Sequence, residues 1–317
     1  MPQSPDPRKY PMKSSVILID PETGLLRSGW RVLIYLALSP HLLIPFLTQN
    51  NNQESSRAIS ADSKRLLNYL VFIGWTLGVS WLCLRLFDRL KLSSLGFTFH
   101  RGWLREVSLG CAIGASMIIA VVGLQVIGGG TSLALNPIWW RMGTIDWSGL
   151  LTITIDGLAL MILIALAATF EELNYRGYPF QTLVRGIGPI FPVIIFSLLF
   201  AIAHLENPNK TLFSTVNTVL AGIWLAMAYL KTRSLWIPTA LHFTWNWMMG
   251  AFFGLPVSGL VFSHQTLLVS TSENPIWLTG GIYGCEGGAA ATIVLIFATV
   301  IIRRAAWLNV SPDLRRE

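Results

Sequence analysis

Long apolar stretches alternate with short polar ones along the whole chain. A helix that crosses a bilayer needs about 20 predominantly apolar residues, and eight stretches approach that length. The pattern therefore predicts an all-α fold, a polytopic membrane helix bundle with about eight transmembrane helices. The predicted spans are residues 28–48, 66–88, 104–127, 149–171, 189–206, 212–230, 235–254 and 287–307.

The composition agrees with a membrane location. Hydrophobic residues make up 53% of the chain and charged residues 12%, whereas soluble domains carry about 25% charged residues. We expect residues 1–27 to form a cytoplasmic N-terminal segment, 28–308 a single transmembrane domain and 309–317 a cytoplasmic tail. The segment 1–20 is polar and lacks the apolar core of a cleavable signal peptide, so the first span is expected to target the chain.

The formal net charge of +7 would also suit a nucleic-acid partner, but the positions of the basic residues argue against it. Most of the 23 lysines and arginines fall in segments that alternate crossing would place on the side of the N-terminus. This positive-inside bias predicts that both termini are cytoplasmic. We therefore expect the lipid bilayer as a partner and no nucleic acid. The basic residues on the opposite side are Arg57, Lys64, Arg65, Arg141 and Lys210.

Polar side chains occur at three places in these apolar segments. The sequences are E-E-L-N-Y-R at 171–176, F-A-I-A-H at 200–204 and H-F-T-W-N at 242–246. A charged group at the centre of a bilayer costs about 2.5 kcal/mol or more, so such residues usually have a function and a partner. Three segments of this kind are expected to supply partners for one another.

The two adjacent glutamates differ in what they can pair with. Glu172 and Arg176 are spaced i,i+4, so on a helix they can form an ion pair that supports the structure. Glu171 is rotated by about 100° and has no such partner. It is therefore the candidate general base that acts on water.

The other two segments add hydrogen-bonding groups. His242 and Asn246 share one helix face, and donors aimed at the oxygen of a tetrahedral intermediate contribute about 10²–10³ in rate. His204 could share the activated water with Glu171 or protonate the leaving amine. The set indicates hydrolysis of an amide bond, whereas the competing interpretation is a structural network of ion pairs and hydrogen bonds between helices. Phe200 is expected to pack in the core or to shape the cavity wall beside His204.

With these motifs in order, E-E-x-x-x-R, F-x-x-x-H and H-x-x-x-N, the chain resembles the CPBP family, the CAAX protease and bacteriocin-processing (Abi) group of intramembrane endopeptidases. The resemblance covers about residues 150–250, with further likeness near Ser94 and in Gly280–Gly288. It implies a multi-helix bundle with a cavity at membrane depth. The implied catalytic residues are Glu171, His204, His242 and Asn246, with Glu172 and Arg176 as structural support.

The resemblance also implies the substrate class and the location. Members cleave prenylated CAAX proteins, process peptides or confer immunity to bacteriocins, so the expected substrate is a lipidated protein or a membrane-associated peptide. The expected location is a prokaryotic plasma membrane. The main alternative is a catalytically idle immunity or scaffold protein of the same fold. A transporter is disfavoured because no inverted pair of Gly/Pro-broken helices is found.

No cofactor is expected. Zinc held by Glu171, His204 and His242 is the alternative, because histidine and glutamate are common zinc ligands. The H-E-x-x-H motif is absent, and an asparagine partner suits an oxyanion better than zinc. A metal-independent glutamate mechanism is therefore preferred.

One geometric difficulty follows from the predicted spans. Glu171 lies near the cytoplasmic end of its span, whereas His204 is 15 residues, about 22 Å of helix, beyond Pro189. The two residues can meet if the fourth helix continues past Arg176. The apolar residues that follow predict a helix running to about Arg185.

Gly110 and Gly114 could allow a close helix contact in the third span, although one G-x-x-x-G is a weak signal.

Overall fold

A computed structural model describes residues 17–21, 23–39, 58–262, 265–272 and 274–310. For residues 58–63 it describes the backbone alone. The expected N-terminal segment up to residue 16, the second half of the first predicted span and the tail from residue 311 lie outside the described residues.

The described residues form an all-α helix bundle, as the hydrophobic pattern predicts, together with two small two-stranded sheets. In this part of the chain, π-helical turns at Leu84–Asp88 and Met248–Phe253 extend the helices that end at Cys83 and Trp247. The helices are α1 Ser28–Leu38, α2 Ala58–Cys83, α3 Trp103–Ile127, α4 Trp147–Tyr175, α5 Tyr178–Ile187, α6 Ile190–Ala203, α7 Leu212–Thr232, α8 Trp236–Trp247, α9 Ile276–Thr279 and α10 Ala289–Arg304. The strands are β1 Thr131–Leu135, β2 Trp140–Arg141, β3 Thr144–Ile145 and β4 Leu268–Ser272.

Several helices are long and apolar enough to cross a membrane. Among the described residues these are the helical runs 64–88, 103–127, 147–187 and 212–232, while 28–38 and 190–206 are shorter apolar helices. The multi-pass architecture is therefore confirmed. The total of eight spans, the domain boundaries and the cytoplasmic position of the termini stay predictions.

The third predicted span packs closely against the segment that carries His242. A Cβ atom on Gly110 would lie 2.6 Å from the Cβ atom of Ala240, and one on Gly114 would lie 2.9 Å from the carbonyl oxygen of Leu241. Any side chain at these positions would push α3 and α8 apart. The weak small-residue signal in the sequence thus marks a real helix contact.

The strands lie in the connections between helices. β1 pairs with β4 in an antiparallel sheet, from Thr131 opposite Ser272 to Leu135 opposite Leu268, and β2 pairs with β3 as a short hairpin. Asp146 then caps α4, because its side chain accepts hydrogen bonds from the backbone N–H groups of Ser148 and Gly149.

The predicted helix that runs past Arg176 exists, but it is not continuous. α4 ends at Tyr175, and a second helix, α5, begins at Tyr178. A Cβ atom at Gly177 would collide with the carbonyl oxygen of Leu173, so the close turn requires glycine there. Gln181 stabilises the break by donating to the carbonyl oxygen of Arg176 at 3.0 Å.

This bent pair of helices removes the difficulty of depth. α5 and α6 run antiparallel, with the rings of Phe180 and Phe196 5.7 Å apart. A second contact joins the end of α4 to α6, where the rings of Tyr175 and Phe200 are 5.1 Å apart. Glu171 lies one helical turn before Tyr175, and His204 lies one turn after Phe200. Continuing from that ring contact by one turn in each helix therefore reaches Glu171 on one side and His204 on the other, at the same depth.

Candidate active site

The ion pair expected between Glu172 and Arg176 forms in the centre of the bundle. Arg176 Nη1 donates to Glu172 Oε1 at 2.9 Å, and both side chains are almost fully buried, at 1% and 0% exposed. Arg176 Nη2 donates to the carbonyl oxygen of Gly222 on α7 at 2.9 Å, and the guanidinium lies 4.9 Å from the ring centre of Phe200. This one arginine therefore ties α4 to α6 and α7.

His242 contacts both glutamates. Its Nδ1 lies 2.9 Å from Glu172 Oε1, and its Nε2 lies 3.7 Å from Glu171 Oε2. An ionised carboxylate only accepts hydrogen bonds, so Nδ1–H is the donor to Glu172. The ion pair thus fixes the orientation of the imidazole and leaves Nε2 on the side of Glu171.

Glu171 has a different environment from its neighbour. Its side chain is 16% exposed, and its Oε2 atom is buried without a hydrogen-bond partner among the described residues. The separation of 3.7 Å from His242 Nε2 exceeds a direct hydrogen bond and is of the length that a water molecule bridges. The glutamate expected to be reserved for chemistry is therefore the less completely paired one.

His204 is held by the residue four positions before it. Its Nδ1 lies 2.7 Å from the carbonyl oxygen of Phe200, and the two rings are 4.5 Å apart. A carbonyl only accepts, so Nδ1 is the donor, and in the neutral ring Nε2 is then an acceptor. Phe200 is 3% exposed, in agreement with its expected role in the cavity wall.

The histidines and Asn246 line a common cavity. It has an empty volume of about 470 Å³, which includes the open space at its mouth. His204, His242 and Asn246 contribute from the ends of α6 and from α8, and Phe200 separates the two imidazoles, with its ring centre 6.0 Å from that of His242. Three of the four predicted catalytic residues therefore meet at one cavity. Glu171 is outside the lining and reaches it through His242.

The predicted contact between Glu171 and His204 is not direct. Within the described part of the chain these residues share no hydrogen bond, and the histidine next to Glu171 is His242. The reason is the position of Phe200, whose ring lies against His204 and closes the space towards the C-terminal end of α4. A helical wheel cannot show this, because it does not include the neighbouring helix.

The structure adds cavity residues that the motifs do not contain. Asn217 on α7 donates to the carbonyl oxygens of Glu286 at 2.7 Å and Gly288 at 3.0 Å. Glu286 itself lines the cavity and accepts a hydrogen bond from Trp245 Nε1 at 2.8 Å. In the sequence, Glu286 could have been singled out because it is the only acid between Glu273 and Asp313 and lies in the glycine-rich stretch that precedes α10.

The zinc alternative requires Glu171, His204 and His242 to converge on one ion. The residues that the structure describes contain no group of three or more His, Cys, Asp or Glu side chains that could hold a metal. In this arrangement the three candidate donors do not converge on one point that a metal could occupy.

Comparison with known proteins finds a family match for the part of the chain that carries the three motifs. Residues 152–248 match the family model described as "Type II CAAX prenyl endopeptidase Rce1-like". This match covers under a third of the chain and supports the expected resemblance to the CPBP group of CAAX-type proteases in this region. The matched segment contains all three motifs and the buried Glu172–Arg176 ion pair, whereas Glu286 lies outside it. No curated protein and no solved structure matches the chain.

Proposed function

We propose that this protein is an intramembrane endopeptidase that hydrolyses a peptide bond with water activated by Glu171 and His204. The observation that carries the proposal is that His204, His242 and Asn246 line one cavity, with Glu171 3.7 Å behind His242. A base, two imidazoles and an amide are the groups that hydrolysis of an amide requires.

The water is proposed to bind beside Glu171 Oε2, which lacks a hydrogen-bond partner among the described residues. Glu171 removes a proton as the water oxygen attacks the carbonyl carbon, and water in the cavity relays that proton to the free Nε2 of His204. The C–O bond forms while the carbonyl electron pair moves to oxygen. His204 then delivers a proton to the amine as the C–N bond breaks, so that a carboxylic acid and an amine leave.

Asn246 and His242 are proposed to stabilise the oxyanion. Glu172 fixes the imidazole of His242 by accepting from Nδ1–H. His242 is therefore proposed to act as an imidazolium, whose Nε2–H faces the substrate and donates to the oxyanion. A preorganised donor of this kind contributes more than a mobile one because no reorganisation is needed during the reaction. Glu172 and Arg176 support these groups from outside the cavity lining, and Phe200 forms part of the cavity wall.

The proposed substrate is a prenylated CAAX protein or a membrane-associated peptide, hydrolysed without a metal. The family match supports this class, and the position of the cavity within apolar helices suits a substrate that reaches the site from the bilayer. The proposed location is the plasma membrane of a prokaryote, with both termini cytoplasmic.

The test uses purified full-length protein in detergent with a farnesylated CAAX peptide and a panel of membrane peptides. Glu171→Gln and His204→Ala are each expected to lower the cleavage rate by about 10²–10⁴, the usual contribution of general acid–base catalysis. Glu206→Gln is the matched control, because Glu206 is an exposed acid two residues from His204. Cleavage that survives Glu171→Gln contradicts the mechanism.

Two further outcomes identify the alternatives. Binding of the peptides without cleavage by the unmodified protein indicates the idle immunity or scaffold protein. Activity that is lost with a chelator and restored by zinc indicates a metalloprotease.

A further inference from the structure

Glu286 is a carboxylate on the cavity wall that the proposed mechanism does not use. It lies in a 3₁₀ turn, Cys285–Gly287, directly before α10, and it lines the same cavity as His242 and Asn246. The match to the family model ends at residue 248. Glu286 is therefore a feature of this chain beyond the matched core.

The carboxylate is held firmly by neutral donors. Oε1 accepts from Trp245 Nε1 at 2.8 Å, and Oε2 accepts from the Ser258 backbone N–H at 2.7 Å and from its hydroxyl at 2.8 Å. A carboxylate offers about four acceptor sites, so these three donors leave one on Oε1. Trp245 precedes Asn246 in α8, which places Glu286 next to the proposed oxyanion donors.

Among the residues that the structure describes, no cation neutralises this group. Within the described ranges, Glu286 forms no ion pair with a lysine or arginine, and the cavity lining contains neither residue type. The negative charge of Glu286 also acts on the neighbouring Tyr283. Burial and, after it, repulsion from the Glu286 carboxylate raise the pKa of Tyr283 to about 12. A half-buried carboxylate without a counter-charge favours the arrival of a cation from outside.

We propose that Glu286 forms a subsite for a cationic group of the substrate, an ammonium or guanidinium close to the scissile bond. This inference rests on the proposed endopeptidase function. It predicts a peptide substrate with a basic residue near the cleavage site, and it predicts that an acidic residue at that position is rejected.

The experiment compares peptides that differ at one position, with lysine, norleucine or glutamate placed in turn at each of the three positions on either side of the scissile bond. Both the cleavage rate and the binding of labelled peptide are measured, so that binding is scored even without turnover. Acetylated and free N-termini separate a side-chain cation from an α-amine.

The unmodified protein is expected to prefer lysine over glutamate at one position. Glu286→Gln should reduce that preference about tenfold, the effect of losing one charge-assisted hydrogen bond. Peptides with norleucine should respond little. Ser258→Ala keeps the carboxylate and removes one donor, so it should retain the charge preference, and Glu206→Gln controls for a change of charge outside the cavity.

The outcomes separate the two proposals. A lysine preference in binding without cleavage supports the subsite and contradicts the endopeptidase function. Cleavage with no charge preference, or with an unchanged preference in Glu286→Gln, overturns the subsite and leaves the endopeptidase intact. An equal loss for lysine and norleucine peptides shows that Glu286 only holds the Ser258 loop, which also overturns the subsite.

Discussion

Two buried carboxylates hold different parts of this bundle, Glu172 in its centre and Asp88 at the end of α2. Glu172 binds Arg176 and His242, both at 2.9 Å. Asp88 accepts from Arg31 at 2.6 Å and Arg185 at 3.1 Å, and from the hydroxyl of Tyr178 at 2.7 Å. Each site thus has one acid and more than one donor.

The difference lies in burial and in distance along the sequence. The Arg176 side chain is 1% exposed, whereas that of Arg185 is 38% exposed. Arg176 is four residues from its acid, while Arg31 and Arg185 are 57 and 97 residues from Asp88. The central network positions a cavity imidazole, and the peripheral one joins α1 and α5 to α2. Chemically similar networks therefore hold the lining of the proposed active-site cavity in one place and join packed helices in the other.

Glu172→Ala is expected to have the largest effect on stability. It leaves the buried guanidinium of Arg176 unpaired, which typically costs about 3–5 kcal/mol. The free energy of unfolding in mixed detergent micelles measures this loss. The double variant Glu172→Ala with Arg176→Met should recover part of it, because the unpaired charge is then absent. A single variant that unfolds like the unmodified protein would show that the central network is dispensable.

Asp88→Asn should cost less, about 1–3 kcal/mol, the usual range for hydrogen bonds to a charged group. Of the donors that it leaves, Tyr178 is buried and Arg31 is largely buried, but Arg185 can turn to water. The same unfolding measurement applies. Cleavage per folded molecule should stay unchanged, and a fall in that rate would mean that the peripheral network also positions the cavity.

Arg185→Ala is expected to have the smallest effect, less than about 1 kcal/mol, because exposed ion pairs contribute little. The loss should shrink further at high salt, which screens exposed charges. Unfolding measured at low and high ionic strength tests this. A loss as large as that of Asp88→Asn would show that Arg185, rather than Arg31, is the main partner of the acid.

The same contrast explains how far the sequence leads. Glu172 and Arg176 can be paired from their spacing alone, and the Gly110 contact can be anticipated from a small-residue motif. The partners of Asp88 cannot, because they come from helices far apart in the chain. The break at Gly177 was also missed, since the residues around it continue an apolar helical pattern and the turn depends on a backbone contact with Leu173.

The cavity residues likewise divide into those whose neighbours follow from the sequence and those whose neighbours do not. His242 and Asn246 are correctly placed together because they share one helix face. The closeness of His242 to Glu171, and the insertion of Phe200 between the helices, depend on packing that one-dimensional periodicity does not encode. Glu286 enters through a glycine-rich loop 40 residues beyond Asn246, where no helical spacing relates it to the motifs.

The shortness of α6 has a consequence for the surrounding lipid. Its 14 residues span about 21 Å, whereas the hydrocarbon layer is about 30 Å thick. The chain then continues through a 3₁₀ turn, His204–Glu206, into the polar residues Asn207, Asn209 and Lys210. In a bilayer of that thickness we expect the membrane to thin beside this end of the helix, so that these groups stay hydrated. For the proposed hydrolysis we therefore expect water to enter next to His204 where the membrane is thinned, and the reaction rate to depend on the acyl-chain length of the host lipid.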